Sequence, residues 1–374
     1  MSTKKNIMHV GLDAHSKQIT VAVLLPGAAE VSEQWQIAHD ERSLRKLSKR
    51  LLNMECGVVR AVYEAGCCGF ALQRKLRDLG IECVVAAPSL IPVKPGERVK
   101  TDRRDARKLA KLAQAGLLTE VHPPTQAEEA LRDLTRARED AKKDLMSARH
   151  RLSKMLLRHG LSFRETRNWT KKHREWLKGL RFEQPYAQQS FDNYLLSIEQ
   201  IEERLKMLEA QIEAAAGDEA HAEQVRWLRC LRGVDTITAM TILAELHDFR
   251  RFKHPRDLMA YLGLTPSEYS SGSRVRRGSI TKAGNSHVRR VLVEAAWNYR
   301  HRPAVSALLR KRREGQPPGV LAIADRAQQR LYTRYYHLRE GYNKPHNVVA
   351  VALARELAGF IWAVLMHQEL GQAA

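Results

Sequence analysis

The sequence predicts an α/β N-terminal domain over residues 1–122, a middle of long helices with coiled-coil character over 123–220, and a mainly α C-terminal domain over 221–374. Three observations carry this. Short apolar runs alternate with amphipathic stretches in the order ββ(β)αβαβα. Apolar residues then recur at three- and four-residue spacing among Glu, Lys and Arg. Helical patterns finally resume around one polar, glycine-bearing loop.

In the first part, Ile7-Met8-His9-Val10-Gly11-Leu12 runs into Asp13, and Ile19 to Leu24 follows a short polar turn and is closed by Pro26-Gly27. A helix begins near Asp40, a suitable N-cap, with Leu44, Leu47, Leu51 and Leu52 on one face. The strand Val58 to Tyr63 ends at Glu64, a helix around Phe70–Leu79 stops at Gly80, and Ile81–Ala86 is a further strand. A proline-punctuated loop, Pro88 to Pro95, leads to a helix from about Asp102 to Leu117.

In the middle part, Leu131, Leu134, Ala141, Leu145, Ala148, Leu152 and Met155 mark one long helix; Tyr194, Ile198, Ile201, Leu205, Leu208 and Ile212 mark another. Residues 160–190, with Trp169, Trp176 and Pro185, read as a connecting tip. The helices can pair within one chain or between chains. Beyond them, Ile237, Met240, Leu243 and Leu246 lie on an apolar helix, Ser267 to Gly284 form the polar loop, and Val348 to Met366 read as a terminal helix. Arg355 and Glu356 interrupt that last helix, which reads as too short to span a bilayer.

Lys and Arg outnumber Asp and Glu by 63 to 42, a net charge of +21. A surplus of that size suits a polyanion, because nucleic acid releases counterions when basic groups neutralise it. The alternatives on charge alone are a merely basic protein or one that touches acidic lipid. No continuous apolar signal core follows Met1–Lys5, and no membrane partner is expected. The five cysteines, Cys56, Cys67, Cys68, Cys83 and Cys230, lack CxxC spacing and indicate neither a disulfide framework nor structural zinc; a reduced cytoplasm is the simplest fit.

Asp13, Glu64, Asp102 and Asp105 stand at strand ends and a helix start. Strand carboxyl ends in an α/β sheet share an edge where ligands bind. Clustered carboxylates raise one another's pKa unless a cation balances them, and hard oxygen donors suit Mg²⁺ or Mn²⁺. Two such ions roughly 4 Å apart activate a nucleophile and stabilise the leaving oxygen of a phosphodiester. The plainer reading has Asp13 capping a turn, Asp102 as an N-cap and Asp105 answering the helix dipole.

In the C-terminal part, Tyr269-Ser270-Ser271-Gly272-Ser273 opens a loop with Arg274, Arg276, Arg277 and Lys282, followed by Arg289 and Arg290. Guanidinium forks and backbone amides near glycine hold phosphate. A serine there either attacks phosphorus or only donates hydrogen bonds.

Gly11-Leu12-Asp13-Ala14-His15-Ser16-Lys17, Tyr63-Glu64-Ala65-Gly66 and Lys100-Thr101-Asp102-Arg103-Arg104-Asp105-Ala106 resemble the signatures of DEDD-type insertion-sequence transposases, the family numbered one hundred and ten with its IS-eleven-eleven relatives. Gly263-Leu264-Thr265-Pro266, Ser271-Gly272 and Lys282-Ala283-Gly284-Asn285 resemble that family's C-terminal domain, and Leu231 to Thr238 its helix-hairpin-helix-like turn. Asp235 stands where many members have a second glycine. Cys67-Cys68 departs from the pair usual after the glutamate motif.

The resemblance implies an RNase H-like (RuvC-like) N-terminal domain with metal on Asp13, Glu64, Asp102 and Asp105, and a catalytic serine at Ser271. It also implies DNA donor and target and an element-encoded non-coding RNA as guide. The long helices suit a homo-oligomer, dimer or tetramer, and the protein is expected in a bacterial or archaeal cytoplasm at the nucleoid. Two alternatives remain from other classes: a metal-dependent resolvase that hydrolyses branched DNA, and a non-catalytic nucleic-acid scaffold.

Overall fold

The computed structural model describes residues 6–54, 57–92, 101–271 and 274–368. It divides into two units, Met1–Thr125 and Gln126–Ala374. Cys56, the end of the proline-punctuated loop, Lys100, Gly272 and Ser273 lie outside the described residues.

In the first unit the elements are β1 (Ile7–Ala14), β2 (Gln18–Leu24), β3 (Glu33–Ala38), α1 (Glu41–Leu52), β4 (Val58–Glu64), α2 (Ala71–Asp78), β5 (Glu82–Ala86) and α3 (Asp102–Gln114). The sheet order is β3-β2-β1-β4-β5. β2 runs antiparallel to β1 and to β3, whereas β1, β4 and β5 are mutually parallel. This mixed sheet fits an RNase H-like domain. The optional third strand exists, and hairpins join the three antiparallel strands as short polar turns allow.

Side-chain alternation sorts the two faces. Met8, Val10 and Leu12 of β1 and Ala61 and Tyr63 of β4 pack with Leu44, Leu47 and Leu51 of α1 and Leu72 and Leu76 of α2. Asp40 caps α1 as expected, accepting the Ser43 N–H at 2.7 Å. Leu52 is not part of the apolar face; a further 100° around the helix from Leu51 leaves it half exposed.

α3 covers the opposite face, with Leu109 against Val62 and Ala86. It ends earlier than the sequence suggests, at Gln114, and Gly116 follows at φ +66°. Gly11 is where α3 and β1 touch: a Cβ there would sit 1.9 Å from the Ala106 carbonyl oxygen and 2.7 Å from the Ala110 nitrogen. Backbone cannot rotate away as a side chain does, so Gly11→Ala should displace α3 and destabilise the protein by about 3 kcal/mol, read as a lowered thermal midpoint.

The second unit holds α4 (Gln126–Arg158), α5 (Lys171–Gly179), α6 (Pro185–Ala215), α7 (Glu219–Leu228), α8 (Thr236–Leu246), α9 (Pro255–Tyr261), β6 (Pro266–Glu268), β7 (Arg277–Ile280), α10 (Ser286–Ala296), α11 (Ala307–Arg313), α12 (Pro318–Tyr336) and α13 (His346–Leu365). The long helices pair within the chain: Arg149 bonds Glu202 at 2.7 Å, and Arg138 pairs with Glu209. The partner number rises as the first falls, so α4 and α6 are antiparallel.

The distal half of α4 packs in its own cluster, where Leu145, Leu152 and Met155 meet Phe191 and Ile198 of α6 and Leu177 of α5. The expected connecting tip therefore contains a helix, α5, capped by Thr170. Leu131 and Leu134, at the other end of α4, pack instead against the main helical core.

α13 has 20 residues, and an 18-residue window of it has a mean hydropathy of 2.0, which by length and composition is enough to cross a bilayer. The sequence reading of this segment as too short is thus corrected. The helix nevertheless packs as core, with Val349, Leu353, Leu357 and Ile361 buried. Its Glu356 takes Arg330 at 2.8 Å and Arg334 at 3.3 Å from α12.

Candidate metal centre and serine hairpin

Asp13 lies at the carboxyl end of β1, two residues beyond Gly11 and on the same, α3-facing side of the sheet. The N-terminus of α3 delivers Asp102 and Asp105 to that side. Thr101, rather than Asp102, caps α3 by accepting the Arg104 N–H. That leaves both Asp102 and Asp105 as first-turn acids rather than cap ligands.

His15 completes the group. Its Nε2 is 3.3 Å from Asp13 and 3.7 Å from Asp102, and ligand atoms of all three lie within 4.8 Å of one another. The β1–β2 turn fixes His15 through its N–H to the Gln18 carbonyl at 2.9 Å and its carbonyl to His39 Nδ1 at 2.6 Å.

Glu64 stands at the carboxyl end of β4, next to β1. The parallel register pairs Leu12 with Tyr63, so Glu64 falls beside Asp13 and on the same face by alternation. Its side chain is exposed, and it is not among the three residues whose ligand atoms converge. Cys68 reaches the same strand end, donating its thiol to the Ala14 carbonyl at 3.6 Å.

Burial pushes the Asp13 carboxyl above the ordinary carboxylate range; His15 pulls the other way, and Asp102 and Asp105 add to the rise. A half-buried carboxylate held among like charges is electrostatically suited to a cation. The donor set, oxygens with one imidazole, suits a divalent ion.

The polar loop of the second unit is a β-hairpin, which its composition did not announce. β6 pairs antiparallel with β7, and Ser271 and Arg274 extend it by a bridge with N–H to carbonyl distances of 3.2 and 3.1 Å. Its base is clamped by backbone: a Cβ on Gly284 would lie 1.9 Å from the Tyr261 carbonyl oxygen.

The two serines differ. Ser270 donates its hydroxyl to Glu268 at 2.8 Å and accepts the Arg276 N–H at 3.3 Å. Ser271, exposed at the tip, has no hydroxyl partner among the described residues. Arg274, Arg276, Arg277 and Lys282 are also exposed, although Arg277 leans on Glu268 at 3.4 Å.

Arg289 and Arg290 are placed differently. Arg289 donates to the Leu262 and Ala283 carbonyls at 2.8 and 3.1 Å. Arg290 bonds Glu139 of α4 at 3.0 Å and Glu294 at 2.8 Å. Asn285 caps α10 and donates to Glu245 at 2.7 Å; Glu245 is buried and takes Nε and Nη2 of Arg136, one on each carboxylate oxygen. The root of the hairpin is thereby tied to α4 and α8.

Glu139 also takes His287 at 2.7 Å and Lys143 at 3.1 Å. Burial alone would raise its carboxyl, but hydrogen bonds from His287, Arg290 and Lys143 bring it down to about 2. A depressed carboxyl stabilises the fold above its ordinary value of 4.5, and that stability is lost as pH falls toward 2. Glu139→Gln should therefore cost about 2 kcal/mol at neutral pH, and the difference in melting between variant and parent should narrow steadily below pH 4.5.

His15 went unassigned in the sequence, where a lone histidine in a turn resembles any solvated one; its spacing of two from a strand-ending Asp was the available signal. Asn285 was marked only as the end of the Lys282–Asn285 motif, and Glu139 and Glu245 gave no signal, because their partners are distant in sequence.

An acidic group at the carboxyl edge of an RNase H-like sheet, joined in one chain to a cationic serine hairpin, defines an enzyme of nucleic-acid chemistry. Residues 225–310 match the model described as the transposase IS116/IS110/IS902 family, and residues 10–160 match that of the DEDD transposases of the IS110 type. The chain is 41% identical to y4qE of Sinorhizobium fredii, a protein named for transposase activity, over 95% of this chain and 87% of that one. It is 34% identical to the transposase for insertion sequence element IS1533 of Leptospira borgpetersenii, over 90% and 97% respectively. The transposase for IS1111A of Coxiella burnetii matches at 25% over 79% of this chain and 74% of its own length.

The chain belongs to the IS110 family of DEDD transposases. Membership makes DNA its substrate and implies divalent metal at an acidic site.

Proposed function

We propose that this transposase cuts and rejoins DNA through a serine nucleophile, Ser271, with Mg²⁺ or Mn²⁺ held by Asp13, Glu64, Asp102 and Asp105. The observation that carries the serine assignment is the contrast at the hairpin tip: the Ser271 hydroxyl is unengaged among the described residues, while that of Ser270 is held by Glu268 and Arg276.

The bound metal supplies charge neutralisation at the phosphate and at the departing oxygen. Ser271 Oγ bonds to phosphorus, the phosphorus–oxygen bond to the DNA strand breaks, and the serine proton ends on the departing DNA hydroxyl. A second DNA hydroxyl reverses the step at the phosphoserine and restores Ser271. The phosphoester count is unchanged, so no hydrolysis is needed. Arg274, Arg276, Arg277 and Lys282 grip the flanking phosphates, while Arg289 and Arg290 hold the hairpin's root.

Target choice falls to an element-encoded structured RNA, which the excess of 63 basic over 42 acidic residues accommodates. The protein works as a dimer or tetramer at the nucleoid, in three functional parts divided near residues 122 and 220, with coiled-coil packing along the α4–α6 hairpin. The test is an in-cell recombination assay on the native locus with its flanks, reading donor–target junctions by PCR. Junctions in the parent that vanish when the flanking non-coding segment is deleted are expected; junctions that persist without it would remove RNA from the reading.

A further inference from the structure

The C-terminal unit contains a second group of arginines at the other end of α10 from the serine hairpin. Asn285 caps the N-terminus of α10 beside the hairpin root, and Gly233 abuts its far end, where a Cβ would lie 2.6 Å from the Ala295 carbonyl oxygen. The helix has 11 residues, so the two places are about 16 Å apart along its axis.

Around Gly233 the turn between α7 and α8 meets α11. Arg312 donates to the Val234 carbonyl at 3.2 Å, and Arg313 to the Cys230 carbonyl at 3.2 Å and to Asp325 at 2.6 Å. Arg232 donates to the His301 and Arg302 carbonyls at 3.2 and 2.8 Å.

Arg229 is the anomaly. It is half-buried, its guanidinium has no hydrogen-bond or ion-pair partner among the described residues, and its Nε is shielded from water. Arg312 Nε and Arg313 Nη2 are likewise buried without partners, and Arg313 is only 9% exposed. The hydroxyl of the fully buried Tyr299, which feels the charges of Arg232 and Arg313, also lacks a partner among the described residues.

Burial and then the charge of Arg229 hold Arg312 below its usual range, with Asp235 opposing. Asp235 has already given its Oδ1 to the Thr238 N–H at 2.8 Å, capping α8, and Asp325 is on Arg313. Desolvated guanidinium donors drawn together without sufficient counter-charge are costly in the free protein. A bound anion removes that cost, and the planar fork of arginine matches phosphate oxygens.

We propose that Arg229 and Arg312, backed by Arg313, form a phosphodiester-binding site that holds a nucleic-acid backbone at the far end of α10 from the serine hairpin. The site deepens the transposase reading and rests on it only for the polyanion it expects. It adds an anchor without sequence preference, since phosphate contacts position a strand and carry no base information. Asp235 occupies the α8 N-terminus as its cap, so the arginine side chains supply the grip in place of the helix amides.

The experiment compares the full chain with an Arg229→Gln/Arg312→Gln double variant and an Arg229→Lys/Arg312→Lys variant. Binding of a fluorescent DNA duplex and of RNA of the same sequence is measured by anisotropy across a salt series, with thermal melts in inorganic phosphate alongside. The Gln variant should bind at least one probe about 100-fold more weakly at low salt, roughly ten-fold for each charge-assisted contact. Its slope of log affinity against log salt should fall by about two units on duplex.

Without phosphate the Gln variant should melt close to the parent, because relief of the like charges offsets the lost Arg312–Val234 hydrogen bond, and added phosphate should stabilise the parent more than the variant. The Lys variant should keep most of the salt slope. Unchanged affinity and slope for both probes overturn the site, and so does phosphate that stabilises the parent and the Gln variant equally. A parent chain that binds neither probe sinks the nucleic-acid reading itself, which separates the two failures. Loss on DNA or on RNA alone identifies which backbone is held.

Discussion

Ser271→Ala should abolish donor–target junctions and leave DNA binding within about two-fold of the parent. The expected loss in strand exchange is about 10⁴-fold or more, the scale seen when a covalent nucleophile is removed. Incubating the parent with end-labelled DNA and denaturing it in detergent should leave label on the protein; the variant should carry none. Ser270→Ala is the informative neighbour. It removes the link from Glu268 to the Arg276 N–H, so the hairpin should loosen while the covalent adduct still forms. If Ser271→Ala still yields junctions, the nucleophile lies elsewhere. If it stops junctions but not strand cutting, the hydrolytic resolvase reading takes over.

Asp13→Asn and Asp102→Asn should also be severely damaging, for a different reason. Both residues converge with His15, and Asp13 is held half-buried among like charges. Each variant should lose about 10³-fold or more in junction formation, since neutralising the phosphate and the departing oxygen depends on the ion. The independent readout is thermal. Mg²⁺ or Mn²⁺ should raise the melting point of the parent by mass action and leave both variants nearly unmoved. Without metal, Asp13→Asn should melt no lower than the parent, because burial and its acidic neighbours raise the Asp13 carboxyl and so make its charge a burden at neutral pH. Metal stabilisation that persists in both variants would place the ion elsewhere.

Much of the N-terminal unit was legible because β-strands write a period of two into sequence. Met8, Val10 and Leu12 against Gly11 and Asp13 already separate the apolar core from the α3 face. The acids at the ends of β1 and β4 and at the start of α3 were legible for the same reason: an element's end is visible where its pattern stops. Their convergence is less uniform than the motif suggests, since Asp13 and Asp102 meet His15 while Glu64 stands exposed on the adjacent strand.

The serine hairpin was opaque because β6 and β7 are three- and four-residue strands held by backbone bonds and a glycine clamp. Such strands leave no apolar alternation to read. Cation placement was opaque too. Nothing local distinguishes Arg290, whose Glu139 partner lies 151 residues earlier, from Arg274 at the open tip. Whether α4 and α6 pair within a chain or between chains is likewise invisible in a heptad-like pattern, which describes a seam and not its owner.

That α4–α6 pair has a metrical consequence. A 33-residue helix rises about 50 Å, close to the length of fifteen base pairs of B-form duplex. Because the outer portion packs around Leu145, Leu152, Phe191 and Leu177 in a cluster of its own, whatever sits there is displaced by a fixed stride and a fixed phase. Adding seven residues to each arm would lengthen the stride by about 10 Å and leave the tip facing nearly the same way. Adding two would turn it about half a revolution. The pair is thus a ruler with an angular setting, and relatives whose inserts there came in sevens would keep the bearing of the tip while changing its reach.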